Sequence, residues 1–160
     1  MDTKHRKDRL QYLLQRQDKK NKRSITSSLF DECIQTLGKQ TIILSSEKSK
    51  EIYKDFSAEY KITFYGRIEW SNYGFIELTT EIIENIKTYI DCSKEMYVLW
   101  SHSEDPVIQI TLESALRNLN DVTAVSPDIW LYRPNEFVIE IFHDGVIRGH
   151  EKYSPQHPIT

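Results

Sequence analysis

Apolar side chains along this chain switch between a spacing that fits one face of a helix and a closer spacing that fits a strand, and the switches mark its elements. Leu29, Phe30, Cys33, Ile34 and Leu37 recur at helical intervals, with Ser27 placed to cap the start and Gly38 to stop the end. The β-branched run 40–44 predicts a short strand, after which Ser45 or Ser46 caps a helix bearing Ile52, Tyr53, Phe56 and Tyr60 on one side. Another helix is predicted to open at Thr80, with Glu81 and Glu84 at its electropositive end and Ile82, Ile83, Ile86, Tyr89 and Ile90 along its apolar face. Leu112, Ala115, Leu116 and Leu119 mark a further one that opens near Thr111 and ends at Asn120 and Asp121. The earliest stretch, 3–23, carries only the thin stripe Leu10, Leu13 and Leu14 among Lys, Arg and Gln, which predicts a helix with little surface to bury.

Elsewhere the period shortens. Residues 96–100 are nearly all apolar, a polar break at 102–106 precedes 107–110, and 122–125, 128–132 and 136–142 follow as predicted strands. Asp144-Gly145, between the β-rich runs 136–142 and 146–148, is a strong hairpin signal. The segment 61–78 mixes Phe64, Tyr65, Trp70, Tyr73 and Phe75 with Gly66, Ser71, Asn72 and Gly74, and reads as short strands or a long ordered loop. This order predicts an α/β (α+β) fold with a single mixed sheet, helices packed on it and an antiparallel C-terminal hairpin. One domain is expected over 1–160, comprising a basic N-terminal helix (1–23), an α/β body (24–152) and a frayed tail (153–160).

With 39% hydrophobic and 28% charged residues the composition fits that single core. No apolar run reaches the roughly 18–20 residues that cross a bilayer, and the first residues are charged, so the expectation is a cytoplasmic protein without a membrane contact. Cys33 and Cys92 stand far apart without metal-ligand spacing and read as buried free thiols. Charge changes the picture more. The net of −3 hides a split: residues 1–23 hold nine Lys/Arg against three Asp/Glu, a net of +6, whereas the rest holds 12 against 21, a net of −9. An acidic body repels nucleic acid and attracts basic surfaces.

Candidate chemistry is sparse. His102, Glu104, Asp105 and His143 could serve a small metal-dependent hydrolase or nuclease if they converge, but Ser103 lacks the glycine-flanked setting of a serine nucleophile and the histidines lack a compact ligand spacing. The glycines never form a phosphate-cradling loop. Arg6, Lys7, Arg9, Arg16, Lys19, Lys20, Lys22 and Arg23 offer an alternative, a nucleic-acid-binding helix, against which stand the acidic body and the shortage of stacking aromatics beyond Tyr12. Trp100 and Trp130 fall inside apolar strand patterns and read as core, whereas Trp70 suits core or interface equally. No cofactor, metal site or catalytic set is expected.

Several stretches together carry a likeness: Tyr97-Val-Leu-Trp100, Asp105-Pro-Val-Ile108, Asn120-Asp-Val-Thr123, Asp128-Ile-Trp-Leu131, Val138-Ile-Glu-Ile-Phe-His-Asp-Gly145, the earlier Tyr65-Gly-Arg-Ile-Glu-Trp70 and the charged N-terminal helix. In these the chain resembles bacterial immunity proteins of contact-dependent growth inhibition and related polymorphic toxin systems. The resemblance implies a non-enzymatic antitoxin of the cytosol that binds the toxic C-terminal domain of a delivered effector, often covering its active site. Many such toxins are nucleases with basic clefts, and a body of −9 agrees in sign with such a partner. With that implication, the contact is expected on acidic and aromatic loop residues such as Glu69, Trp70, Glu77, Glu104, Asp105 and Asp128.

Overall fold

In the computed structural model, which describes residues 8–13, 26–88, 90–101 and 104–152, one sheet holds β1 (Ile42–Ile43), β2 (Ile76–Glu77), β3 (Glu95–Trp100), β4 (Ile108–Thr111), β5 (Ile129–Arg133), β6 (Phe137–Ile141) and β7 (Ile147–Glu151). The spatial order is β1-β4-β3-β5-β6-β7-β2, and every pairing among the described strands is antiparallel. The expected α/β class, single sheet and C-terminal hairpin are found. The antiparallel pairing extends from that hairpin across the whole sheet. Because β4 and β5 both run opposite to β3, which lies between them, the chain from β4 must cross over one strand to reach β5. It does so through α4 (Leu112–Arg117) and α5 (Leu119–Val125), with α1 (Ser28–Leu37), α2 (Ser46–Glu59) and α3 (Thr80–Glu84) preceding them in the chain.

Strand alternation sorts the central side chains onto two covered faces. On one, Val98, Trp100, Ile108, Ile110, Ile129, Leu131, Phe137, Ile139 and Ile141 pack with Phe30, Cys33 and Leu37 of α1 and with Leu112, Ala115 and Val122 of α4 and α5. On the other, Leu99, Trp130, Tyr132 and Val138 pack with Ile52, Phe56 and Tyr60 from α2 and its end, and with Ile68 and Trp70. Both faces being covered, every residue of β5 and β6 is buried. This is why these strands read as continuous apolar runs.

The caps expected at Ser27 and Ser45 are present: their hydroxyls accept from Phe30 N and Lys48 N at 3.1 Å each. Gly38 ends α1 with φ +83°, a backbone that favours glycine. Tyr53 of α2 donates its hydroxyl to the Trp100 carbonyl at 2.8 Å and accepts from Trp100 N at 2.9 Å. Burial pushes that phenol up to about 12, so the proton it donates is retained.

Four expectations are corrected. The helix expected to end at Asn120 and Asp121 stops at Arg117, and both of those residues lie inside α5. Residues 122–125, taken as a strand for their β-branched side chains, form the last half of α5. Val122 is fully buried there, and Thr123 satisfies its hydroxyl on the Leu119 carbonyl at 2.8 Å, so tertiary packing outweighs strand propensity. The helix predicted from Thr80 is capped one residue earlier, by Thr79, and gives way after α3 to a 3-10 turn at Ile86–Thr88. The run 40–44 yields only the two paired residues of β1, at the edge of the sheet. Of the basic stretch, residues 8–13 are helical and exposed; the remainder of that prediction, and the tail from Tyr153, lie outside the described residues.

Cys33 and Cys92 are 1% and 5% exposed. Burial pushes the Cys33 thiol up to about 11, with Asp121 adding to it, and burial also raises Cys92. The native protein should therefore leave both thiols unreacted with Ellman's reagent at pH 8, and unfolding in guanidinium should release two equivalents.

Candidate functional site

A carboxylate at the centre of β6 organises the face covered by α2. Glu140 interrupts the apolar run Phe137–Ile141, and the pleat turns it onto the side of Trp130 and Arg148, its register partners on β5 and β7. It is 1% exposed. Its Oε1 accepts from Arg67 Nε and Trp70 Nε1, each at 2.9 Å, and its Oε2 accepts from Ile68 N at 2.8 Å and Trp130 Nε1 at 3.0 Å. A buried charge is tolerated only when paired and hydrogen-bonded, and here each oxygen holds two donors, one of them a guanidinium. Three of the four donors come from residues 67–70, so this carboxylate fastens the segment 61–75 over β5 and β6.

Above that fastening the chain makes a small hairpin. Ile62 and Ile68 form an antiparallel bridge, Glu69 N donates to the Lys61 carbonyl at 2.8 Å, and Thr63 N donates to the Arg67 carbonyl at 2.7 Å. Gly66 N closes the tip on the Thr63 carbonyl at 3.0 Å, with Gly66 at φ +83°. That pattern is a turn followed by a glycine bulge, which puts Phe64 and Tyr65 at its two corners. On sequence alone, most rings of this aromatic segment are expected in the core; Trp70 is there, whereas Tyr65, with Phe64 beside it, is exposed. The signal that finds them is Gly66 itself, since corner residues of a tight turn cannot point into a core. At the base, the Arg67 guanidinium lies 4.4 Å above the Phe142 ring centroid, and Arg67 Nη1 stands 3.8 Å from Asp144 Oδ2. Toward the β2 edge, half-exposed Phe75 rests between Trp70, 5.4 Å away, and the Arg148 guanidinium, 4.6 Å from its ring.

The residues named from the sequence divide between surface and interior. Glu77 and Glu104 are exposed, and Glu69 is half-buried with its carboxylate accepting from Ser71 Oγ at 2.9 Å. Trp70 is interior, its indole given to Glu140. Asp105 is also buried, accepting from Ser27 N and Ser27 Oγ at 2.8 Å each, so it anchors the residue that caps α1. Asp128, 1% exposed, accepts from His143 N at 2.7 Å and bonds His143 Nδ1 at 2.9 Å. The physical reason is complementary: Asp105 and Asp128 turn inward to accept from Ser27 and His143, and Trp70 turns inward to donate to Glu140. His102 lies outside the described residues. Among the described residues no group of three or more His, Cys, Asp and Glu side chains is arranged to hold a metal ion. A shallow cavity of about 300 Å³ lined by Gln40, Thr41, Glu95, Ile110, Thr111 and Ser114 brings together none of the titratable groups named for a hydrolase.

The aromatic floor beneath the hairpin contains a histidine. The His150 ring meets Tyr60 and Tyr73, both at 5.8 Å between centroids, and Tyr73 in turn accepts from Lys61 N at 2.8 Å. Burial, then Lys152, lowers the His150 pKa. A histidine depressed in the folded state favours folding while neutral, so its contribution is present above its unfolded value of about 6.5 and is lost as pH falls below it. His150→Phe should therefore flatten the acid-side loss of stability between about pH 7 and 5, as followed by urea midpoints across pH. At the centre, Glu140→Ala strands four buried donors and should cost about 3–5 kcal/mol in urea denaturation, whereas an exposed carboxylate such as Glu77 should cost under about 0.5 kcal/mol.

The geometry is thus an acidic protein with a fastened, aromatic-tipped surface segment. Among the described residues no helix is long and apolar enough to cross a membrane. A search of curated proteins finds no match to this chain. The family model described as CdiI immunity protein, EcoliA0-like, matches residues 27–150, a span that begins at the serine capping α1 and ends within β7. That span takes in both covered faces, the Glu140 fastening and the hairpin, and the chain belongs to the CdiI immunity protein family of contact-dependent growth inhibition.

Proposed function

We propose that this protein neutralises the toxic C-terminal domain of its cognate contact-dependent inhibition effector, a nuclease, by binding that domain and occluding its active site without itself catalysing a reaction. Family membership carries the reading. The proposal places the encounter in the cytoplasm, where a delivered nuclease meets its substrate.

The charge of the molecule supports the class of toxin. Outside residues 1–23 the chain carries a net of −9, and a cleft built to hold a polyanion is lined by Lys and Arg. Opposite potentials steer two proteins together and orient them before contact. Glu69, Glu77 and Glu104 supply carboxylates at or near the surface, while Trp70, Asp105 and Asp128 lie beneath it, bonded to Glu140, Ser27 and His143 respectively. Exposed Phe64, Tyr65 and Phe75 lie in the same segment as Glu69 and Glu77.

Binding of the full chain to the inactivated C-terminal domain of the effector encoded beside it tests this directly, alongside protection of cells that express the active domain. Reversing Glu69, Glu77 and Glu104 to Lys together should slow association about tenfold or more at low ionic strength, with the gap narrowing as salt rises. Association that is indifferent both to the reversals and to salt contradicts the electrostatic part of the reading. Absence of binding and of protection contradicts all of it.

A further inference from the structure

Phe64 and Tyr65 have no part in holding the fold. They are 101% and 53% exposed, they touch one another edge to face at 5.1 Å, and neither belongs to a buried cluster. Turn corners accept small polar residues readily, so a fold under no other demand has no use for two rings there. Beneath them the support is firm. The hairpin is closed by the Thr63–Arg67 and Lys61–Glu69 backbone bonds, Thr63 Oγ1 accepts from Arg67 N at 3.1 Å, and Arg67 and Ile68 are bound to Glu140. Two large rings on a pre-ordered tip bury area in a partner at little further cost in conformational freedom.

We infer that Phe64 and Tyr65 are the anchor with which this protein docks, inserting into an apolar recess rimmed by basic side chains on the cognate toxin domain. The assignment deepens the antitoxin reading and rests on it. Charge selects the occupant. Arg67, a cation beneath the tip, is already met by Glu140 and faces Asp144, and residues 24–160 together carry a net of −9. Even with the +6 of residues 1–23 the whole chain is net −3, so a second copy, an anionic lipid surface or a nucleic acid meets like charge. A basic protein surface is favoured by that field, and the rings then supply the desolvated centre that dominates interface energetics.

The test compares the full-length protein with F64A/Y65A and with I42S/I43S, which removes the exposed isoleucines of the β1 edge, against the inactivated toxin domain by calorimetry. Loss of the two rings should weaken binding about 100-fold or more while leaving the urea midpoint of the free protein unchanged, and the β1-edge variant should bind as the parent does. Parent-like affinity of F64A/Y65A overturns the assignment and leaves the antitoxin reading standing. So does a larger loss from I42S/I43S, or a change confined to the sedimentation of the free protein, which marks the tip as a self-contact. If the parent itself fails to bind the toxin domain, the antitoxin reading falls and the anchor with it.

Discussion

A single carboxylate, Glu140, sits in the middle of a strand whose every residue is buried, and its four hydrogen bonds tie residues 67–70 to the centre of β5 and β6. A carboxylate in that position is costly unless it is saturated with donors. The donors on offer fix the arrangement: an indole from the neighbouring strand, then a guanidinium, an amide and a second indole from residues 67–70. Without this group, Trp70 and Trp130 would bury unsatisfied N–H groups and the segment 61–75 would lose the bonds that fix its register on β6. The interaction therefore contributes direction more than it contributes net stability, since a hydrophobic substitute of matching shape could fill the same space but could not orient the hairpin.

From that constraint the surface follows. Orienting Arg67 places its guanidinium over Phe142, and the chain before it turns back through Gly66, carrying Phe64 and Tyr65 outward. The same face is closed at the far end by Glu59, which bonds the Tyr132 hydroxyl, Asn135 N and Lys152 Nζ, so α2 is tied to the β5–β6 turn as the hairpin is tied to β6. Acidic residues thus do two different jobs in this molecule. Buried ones such as Glu140, Glu59, Asp105 and Asp128 organise loops, while exposed ones set the long-range field. A net charge read from the sequence counts both alike, and this is why Asp105 and Asp128 stood beside Glu77 and Glu104 as surface candidates.

The helices α1 and α2 were legible because local signals agreed with tertiary ones: a serine cap, a helical stripe and, for α1, a terminal glycine all pointed one way. The terminal hairpin was legible from Asp144-Gly145 for the same reason, and Gly145 indeed takes φ +86°. Residues 122–125 misled because Val122, Thr123 and Val125 favour strands locally, whereas burial of Val122 against α1 decided the outcome. Segment 61–75 was opaque for a deeper reason: its conformation is set by Glu140, some seventy residues away, and no local pattern encodes a partner at that distance. Yet Glu140 was itself readable, since a lone charge inside Phe137–Ile141 demands a buried partner. The family resemblance drawn from the C-terminal motifs agreed with the match over residues 27–150. It did not reveal which side chains face outward, because that depends on packing.

Amide hydrogen exchange is the most direct measurement of whether Glu140 governs this surface. The account predicts that Ile68 N–H is strongly protected in the parent protein. It also predicts that Glu140→Gln accelerates exchange across residues 61–75 selectively, while the amides shared by β3, β5 and β6 keep their protection. Unchanged protection of Ile68 in the variant, or a uniform loss throughout the sheet, would contradict it.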